Sequence, residues 1–339
     1  MTPTIYPGAE WERCPPEKAG FRPAQLAGAR RWLDTHVGDG RYRIAIVRGG
    51  RLVAEWNRGV GQDEQLWLAS ATKSVFSCIL AIAIHEDRIV SADAKLADYY
   101  PQALEIPQAE GPKPGRYVFE KDHAITFRQL ISNTSGYMKP GEEPGKVFHY
   151  QTYGMNVLTH AISTTYGLYD PADPEGSPGL RVLVDEKLRI PMDATWGYYL
   201  SNFDLHSQAR IAVFGYYDGI KATALDMARL GWLWRNWGRW REKQLVPEEW
   251  LREATQTAPD IRANCPREQW KYGYAFWTND QGQLWPSLPH DSYAASGAGS
   301  QHIWVCPSLD LVVVQSPGLW QDQEENDTGL LRLIVDAST

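Results

Sequence analysis

The chain has 339 residues, 43% of them hydrophobic, which is enough for one large domain or two smaller ones around a sizeable core. A net charge of −7 with no Lys/Arg-rich run leaves no electrostatic footprint for nucleic acid or an anionic membrane, and points to a small-molecule or peptide substrate. No apolar run is long enough to span a bilayer, and Met1 to Gly20 carries Glu10, Glu12 and prolines where a signal peptide would have a basic start and an apolar run, so a cytoplasmic location is expected.

In chain order, Arg43 to Trp56 reads as two strands joined through Gly49-Gly50, a hairpin. The apolar run from Val75 to Ile84 predicts a buried helix from Ser70 to about Ile84. A polar loop, Pro107 to Asp122, precedes helical stretches at Thr126–Ser132 and Gly154–Tyr166. A second loop, Asp170 to Gly179, leads toward a helix over Ala222–Trp237. Gln301–Cys306 and Asp310–Gln315 read as a second hairpin around Pro307-Ser308-Leu309. Strands at both ends with helices between predict an α+β fold: residues 1–98 together with 220–339 form the sheet domain, and 99–219 form a mostly helical insertion. No internal repeat is present.

Ser70 and Lys73 lie three residues apart at the start of the predicted helix, a spacing that puts both on one face with Cβ atoms about 5–6 Å apart. An amine there can take the hydroxyl proton if its pKa is depressed, and both apolar burial and the positive end of a helix push it down. The free N–H of Ser70 can supply half of an oxyanion hole. Other chemistries have less behind them. The four cysteines, Cys14, Cys78, Cys265 and Cys306, form no Cys-x-x-Cys pair, the eight His show no zinc spacing, and no metal or cofactor is expected. No Gly-x-Ser-x-Gly elbow is present. A Ser-His-Asp site using Ser135 or Ser296 with His149 or His302 has only spacing in its favour.

Downstream of Ser70-Ala71-Thr72-Lys73 the chain carries Leu130-Ile131-Ser132-Asn133-Thr134-Ser135-Gly136, then Pro144 to Tyr150, then Ala295-Ser296-Gly297-Ala298-Gly299-Ser300-Gln301. In this order they resemble the serine β-lactamase and penicillin-binding protein superfamily, most closely its class C-related branch of esterases, D-aminopeptidases and 6-aminohexanoate-dimer hydrolases. The resemblance implies an antiparallel sheet flanked by helices plus a helical subdomain, with the site between them. It places the nucleophile on Ser70, its base partner on Lys73 and a base or proton relay on Tyr150, which matches the tyrosine of Tyr-x-Asn. It also makes the Ala298 N–H the second oxyanion donor beside that of Ser70, with Thr152, Ser296 and Gly297 as substrate contacts.

The chain departs from that pattern at two positions. Thr152 stands where Tyr-x-Asn has its amide, and Ala295 stands where Lys-Thr-Gly has its cation, which removes a partner for a substrate carboxylate. Small neutral esters or amides therefore fit better than β-lactams or cell-wall peptides. The same two departures motivate a rival reading, a ligand-binding or sensor module with little turnover. Among the 15 Trp and 17 Tyr, those beside motifs, such as Trp67, Tyr137, Tyr153 and Trp304, are candidates to line an apolar pocket.

Overall fold

Gly49 and Gly50 both adopt positive φ, 60° and 77°, the conformation a tight two-residue hairpin turn demands, and they join β1 (Tyr42–Arg48) to β2 (Arg51–Arg58). The computed structural model describes residues 4–108, 110–112, 114–201, 213, 215, 217–318 and 329–338. β3 (Leu66–Trp67), β4 (Gly197–Ser201) and β5 (Tyr217–Ala222) form a small antiparallel sheet in the order β3-β5-β4. β6 (Arg239–Trp240) and β7 (Lys243–Gln244) make a minimal hairpin. β8 (Trp277–Thr278), β9 (Tyr293–Gly297), β10 (Gln301–Cys306) and β11 (Leu311–Gln315) complete the main sheet, whose order is β2-β1-β11-β10-β9-β8. Every pairing in it is antiparallel, and β1 pairs β11, so the two ends of the chain meet at its centre.

Helices cover this sheet. α1 (Pro23–Val37) begins at a proline, which suits a first turn with no need of that N–H, and buries Leu26, Ala29 and Leu33 on one stripe. The Ala224–Arg235 helix sits flush on the strands, because a Cβ on Gly231 would come within 2.5 Å of Val312 and 2.8 Å of Ile303. Central and buried on nearly every side is α2 (Thr72–His85). α3 (Phe127–Ile131) opens with a capping box in which the Thr126 hydroxyl accepts from the Gln129 amide and the Gln129 side chain accepts from the Thr126 amide. α4 (Tyr153–Thr165) follows. β4 falls within the segment expected to be mostly helical and pairs β5 over Gly197–Ser201. No described helix is long and apolar enough to cross a membrane. All four cysteines are free thiols, and burial pushes those of Cys78 and Cys306 up to about 12.

In α4, His160 is buried, stacks on Tyr169 at 3.9 Å and donates from Nε2 to the Gly215 carbonyl at 2.7 Å. Burial lowers its pKa from 6.5 to about 4 and the Gly215 bond opposes that. As pH falls through 6.5 the unfolded chain takes up this proton and the folded chain does not until about 4, so the folded state loses stability across that interval. The expected loss approaches about 1.4 kcal/mol per pH unit. Melting temperature should therefore decline from pH 6.5 toward 5, and His160→Gln, which keeps a donor for Gly215, should flatten the decline; an unchanged slope in the variant would show that His160 is not its source.

Candidate active site

Ser70 sits in a 3-10 turn, Ala69–Ala71, immediately before α2, so the nucleophile candidate precedes the helix rather than lying in its first α-turn as expected. The turn is tied down from several sides. The Leu68 amide donates to the Ile220 carbonyl at 2.9 Å and the Ile220 amide to the Thr72 hydroxyl at 3.3 Å, which fixes both ends of the turn to β5. The Ser74 hydroxyl donates to the Ala275 carbonyl at 2.6 Å. Ala69 itself holds φ +47°, an uncommon, costly conformation for a residue with a side chain. Within this frame the Lys73 amine donates to the Ser70 hydroxyl oxygen at 2.6 Å, and Lys73 is 2% exposed, so bulk water does not compete for the contact.

Tyr150 arrives from the loop before α4. The Lys73 amine lies 4.9 Å from the centroid of its ring, which brings Ser70, Lys73 and Tyr150 into one cluster. Aromatic packing holds the ring: Trp277 stacks at 5.8 Å and Tyr272 meets it edge-on at 5.9 Å. The backbone on both sides is held by one residue, Asn133, at φ +57°. Its carbonyl accepts from the His149 amide at 2.9 Å, its side-chain oxygen accepts from the Gln151 amide at 2.9 Å, and its side-chain nitrogen donates to the Tyr272 hydroxyl at 3.1 Å. Asn133 was visible only as part of the Ser-Asn-Thr-Ser-Gly run, with no role attached. Thr152 is half-buried at the start of α4, where its carbonyl accepts from the Asn156 amide, and its hydroxyl caps nothing.

The third wall is β9. β8 pairs only its first half, Tyr293 and Ala294, so Ala295, Ser296 and Gly297 run on without a described neighbour strand on that side. A Cβ on Gly297 would lie 2.0 Å from the Leu68 carbonyl oxygen and 2.9 Å from the Ala71 nitrogen, so only glycine lets β9 press against the nucleophile turn. Ala298 follows in the exposed turn to β10. Among the described residues neither the Ser70 nor the Ala298 amide has a backbone acceptor. Ala295 is completely buried.

One Ser-His combination and two of the aromatic candidates fail on geometry. The Ser135 hydroxyl accepts from the Tyr137 amide and the Gln151 side chain, while His149 turns to Glu142 at 2.8 Å, so Ser135 and His149 form no dyad. Tyr137 and Trp304 are fully buried core side chains and line no open pocket; Tyr153 is half-buried, and Trp67 alone of the four is exposed, at 62%. Ser296 and His302 are direct cross-strand partners on β9 and β10. Sequence reading also missed Tyr199 of β4, where the Ala69 backbone amide donates to the phenol in a bond that favours its ionised form and opposes the upward push of burial. Among the described residues no group of three or more His, Cys, Asp and Glu side chains is placed to hold a metal ion.

Known structures share this fold. Similar structures include a 6-aminohexanoate-dimer hydrolase from Bacillus anthracis (18% identity, TM-score 0.59, 90% of this chain and 81% of that one). A family VIII carboxylesterase matches with 16% identity, a TM-score of 0.63, and 93% and 96% of the two chains covered. Simvastatin synthase from Aspergillus terreus matches with 15% identity, a TM-score of 0.65, and coverage of 93% and 97%. The family profile described as Beta-lactamase matches residues 42–316, a span that runs from β1 to the end of β11 and contains the Ser70 turn, the Tyr150 loop and β9. The chain belongs to the Beta-lactamase family, as a serine hydrolase of that fold.

Proposed function

We propose that the protein cleaves a small ester or amide through an acyl-enzyme on Ser70. The observation that carries this reading is the 2.6 Å contact between the Lys73 amine and the Ser70 hydroxyl. Lys73 takes the hydroxyl proton as Oγ bonds to the substrate carbonyl carbon. The charge that develops on the carbonyl oxygen is met by the Ser70 and Ala298 N–H groups. Collapse breaks the bond to the leaving group, which takes a proton relayed from Lys73 through Tyr150. Water then attacks the acyl carbon, its proton returns by the same pair, and the acid product leaves with Ser70 restored. Thr152, Ser296 and Gly297 border the space the substrate fills.

The substrate preference follows from β9. Ala295 is buried and uncharged, so β9 offers no cation at that position to a substrate carboxylate. The carboxylesterase and 6-aminohexanoate-dimer hydrolase likenesses agree with an ester or amide.

Ser70→Ala should abolish ester hydrolysis, and Lys73→Ala and Tyr150→Phe should lower kcat by about 100-fold or more with a smaller change in KM, as befits proton transfer. Steady-state kinetics on phenyl acetate checks this; near-wild-type turnover by Ser70→Ala would end the proposal. Gly297→Ala should push β9 off the Leu68 carbonyl and cost about 100-fold in kcat, the scale of one oxyanion donor, while KM moves little. Wild-type kcat in a folded Gly297→Ala protein would show that the close approach serves packing alone. Benzylpenicillin, followed by loss of ring absorbance, should be turned over poorly or not at all beside phenyl acetate, and efficient turnover would show that a cation elsewhere replaces the one missing at Ala295.

A further inference from the structure

The small sheet beside the nucleophile has one face that the reaction scheme leaves unused. Strand alternation and register put Trp67 of β3, Lys221 and Gly219 of β5, and Gly197 and Tyr199 of β4 on that face, since Trp67 pairs Lys221, Lys221 pairs Gly197, and Gly219 pairs Tyr199. The opposite face carries Ile220 and Ala222, both buried in the core. The unused face therefore points outward. It also borders Ser70, because Tyr199 on it takes the hydrogen bond from the backbone of Ala69.

Its surface is built rather than incidental. A Cβ on Gly219 would come within 2.1 Å of the Tyr199 ring, so the glycine lets the phenol lie flat across β5. Trp67 then stacks on Tyr199 at 4.7 Å with an interplanar angle of 14°, and is still 62% exposed. A tryptophan held flat by a neighbour and open to solvent, three residues from the nucleophile, is a preformed stacking surface that loses little side-chain freedom on binding. Directly across from Trp67, at a Cβ separation of about 4.5–5.5 Å, is Lys221. Among the described residues it is half-buried and pairs with no carboxylate. Gly197 flanks it on the other side, where the Gln65 side-chain oxygen lies 3.1 Å from the position of a Cβ.

We propose that Trp67, Tyr199 and Lys221 form a substrate subsite for a planar aromatic group bearing a negative charge, with the ring on Trp67 and the anion on the Lys221 ammonium. This rests on the hydrolase reading of Ser70 and narrows its substrate to an ester or amide one fragment of which is an aromatic acid. It revises the expectation of a neutral substrate, which followed from Ala295 on β9. Lys221 stands on the β5 side of the nucleophile, so a charge read there is placed differently from the carboxylate of a β-lactam.

Two pairs of esters test it, each comparing a carboxylate with its carboxamide: 4-acetoxybenzoate against 4-carbamoylphenyl acetate, and monomethyl terephthalate against methyl 4-carbamoylbenzoate. The wild type should prefer the carboxylate in at least one pair. Lys221→Gln should cut that preference in kcat/KM about tenfold, as loss of a charge-assisted hydrogen bond does. Trp67→Ala should lower kcat/KM for both members alike, mainly through KM. Titration calorimetry of benzoate and benzamide reads the subsite without turnover, and benzoate should bind more tightly in a manner that Lys221→Gln removes. Ester turnover with no Lys221-dependent preference in either pair, and no Lys221-dependent benzoate binding, overturns the subsite and leaves the hydrolase reading intact. Lys221-dependent benzoate binding with no turnover of any ester overturns the hydrolase reading and leaves the subsite.

Discussion

The contact between Gly297 of β9 and the turn that carries Ser70 is the constraint on which the rest of the site depends. A hydroxyl and an amine in hydrogen-bond contact are only a proton-transfer pair; they become an acylation site when N–H donors are held where negative charge will form. In the proposed reaction Gly297 permits that, because the Leu68 carbonyl and Ala71 amide occupy the volume a side chain would need. The main sheet holds β9 through β10, and β8 pairs with Tyr293 and Ala294, while Gly297 at the far end of the strand lies against the nucleophile turn.

The other walls are fixed by the same economy of backbone contacts. β5 ties the Ser70 turn through Leu68 and Thr72, the Ala275 carbonyl ties it through Ser74, and Tyr199 holds the amide of a residue in a costly left-handed conformation. Asn133 performs the matching task for Tyr150, with hydrogen bonds to the residues before and after it. The Ser70–Lys73 segment, the Tyr150 loop and β9 thus come from three separate parts of the chain, and each is braced by a neighbour that takes no part in bond making. Preorganisation of this kind lets electrostatic stabilisation act without rearrangement during the reaction.

Much of this was legible in the sequence where the signal is local. Both hairpins, α2, α4 and the Ala224–Arg235 helix announce themselves by alternation, apolar runs and turn residues, and the structure places them within a few residues of expectation. Ser70 and Lys73 needed only a spacing of three. Features created by distant pairing were not legible. The β3-β5-β4 sheet joins residues 66–67, 197–201 and 217–222, and two of its strands are too short or too polar to stand out. Asn133 and Tyr199 act through hydrogen bonds to backbone far away in the chain, which no pattern within their own segments reveals. Tyr137 and Trp304 show the converse, since standing beside a motif in sequence did not bring them to the surface.

The central claim is that Ser70 is an activated nucleophile, and covalent trapping tests it most directly. Native protein and Ser70→Ala would each be treated with a fluorophosphonate, weighed intact by mass spectrometry and mapped by peptide digestion. The account predicts one adduct per native chain, located on Ser70, and none on the variant. A folded native protein that takes up no label, or takes it up at a different serine, would contradict it.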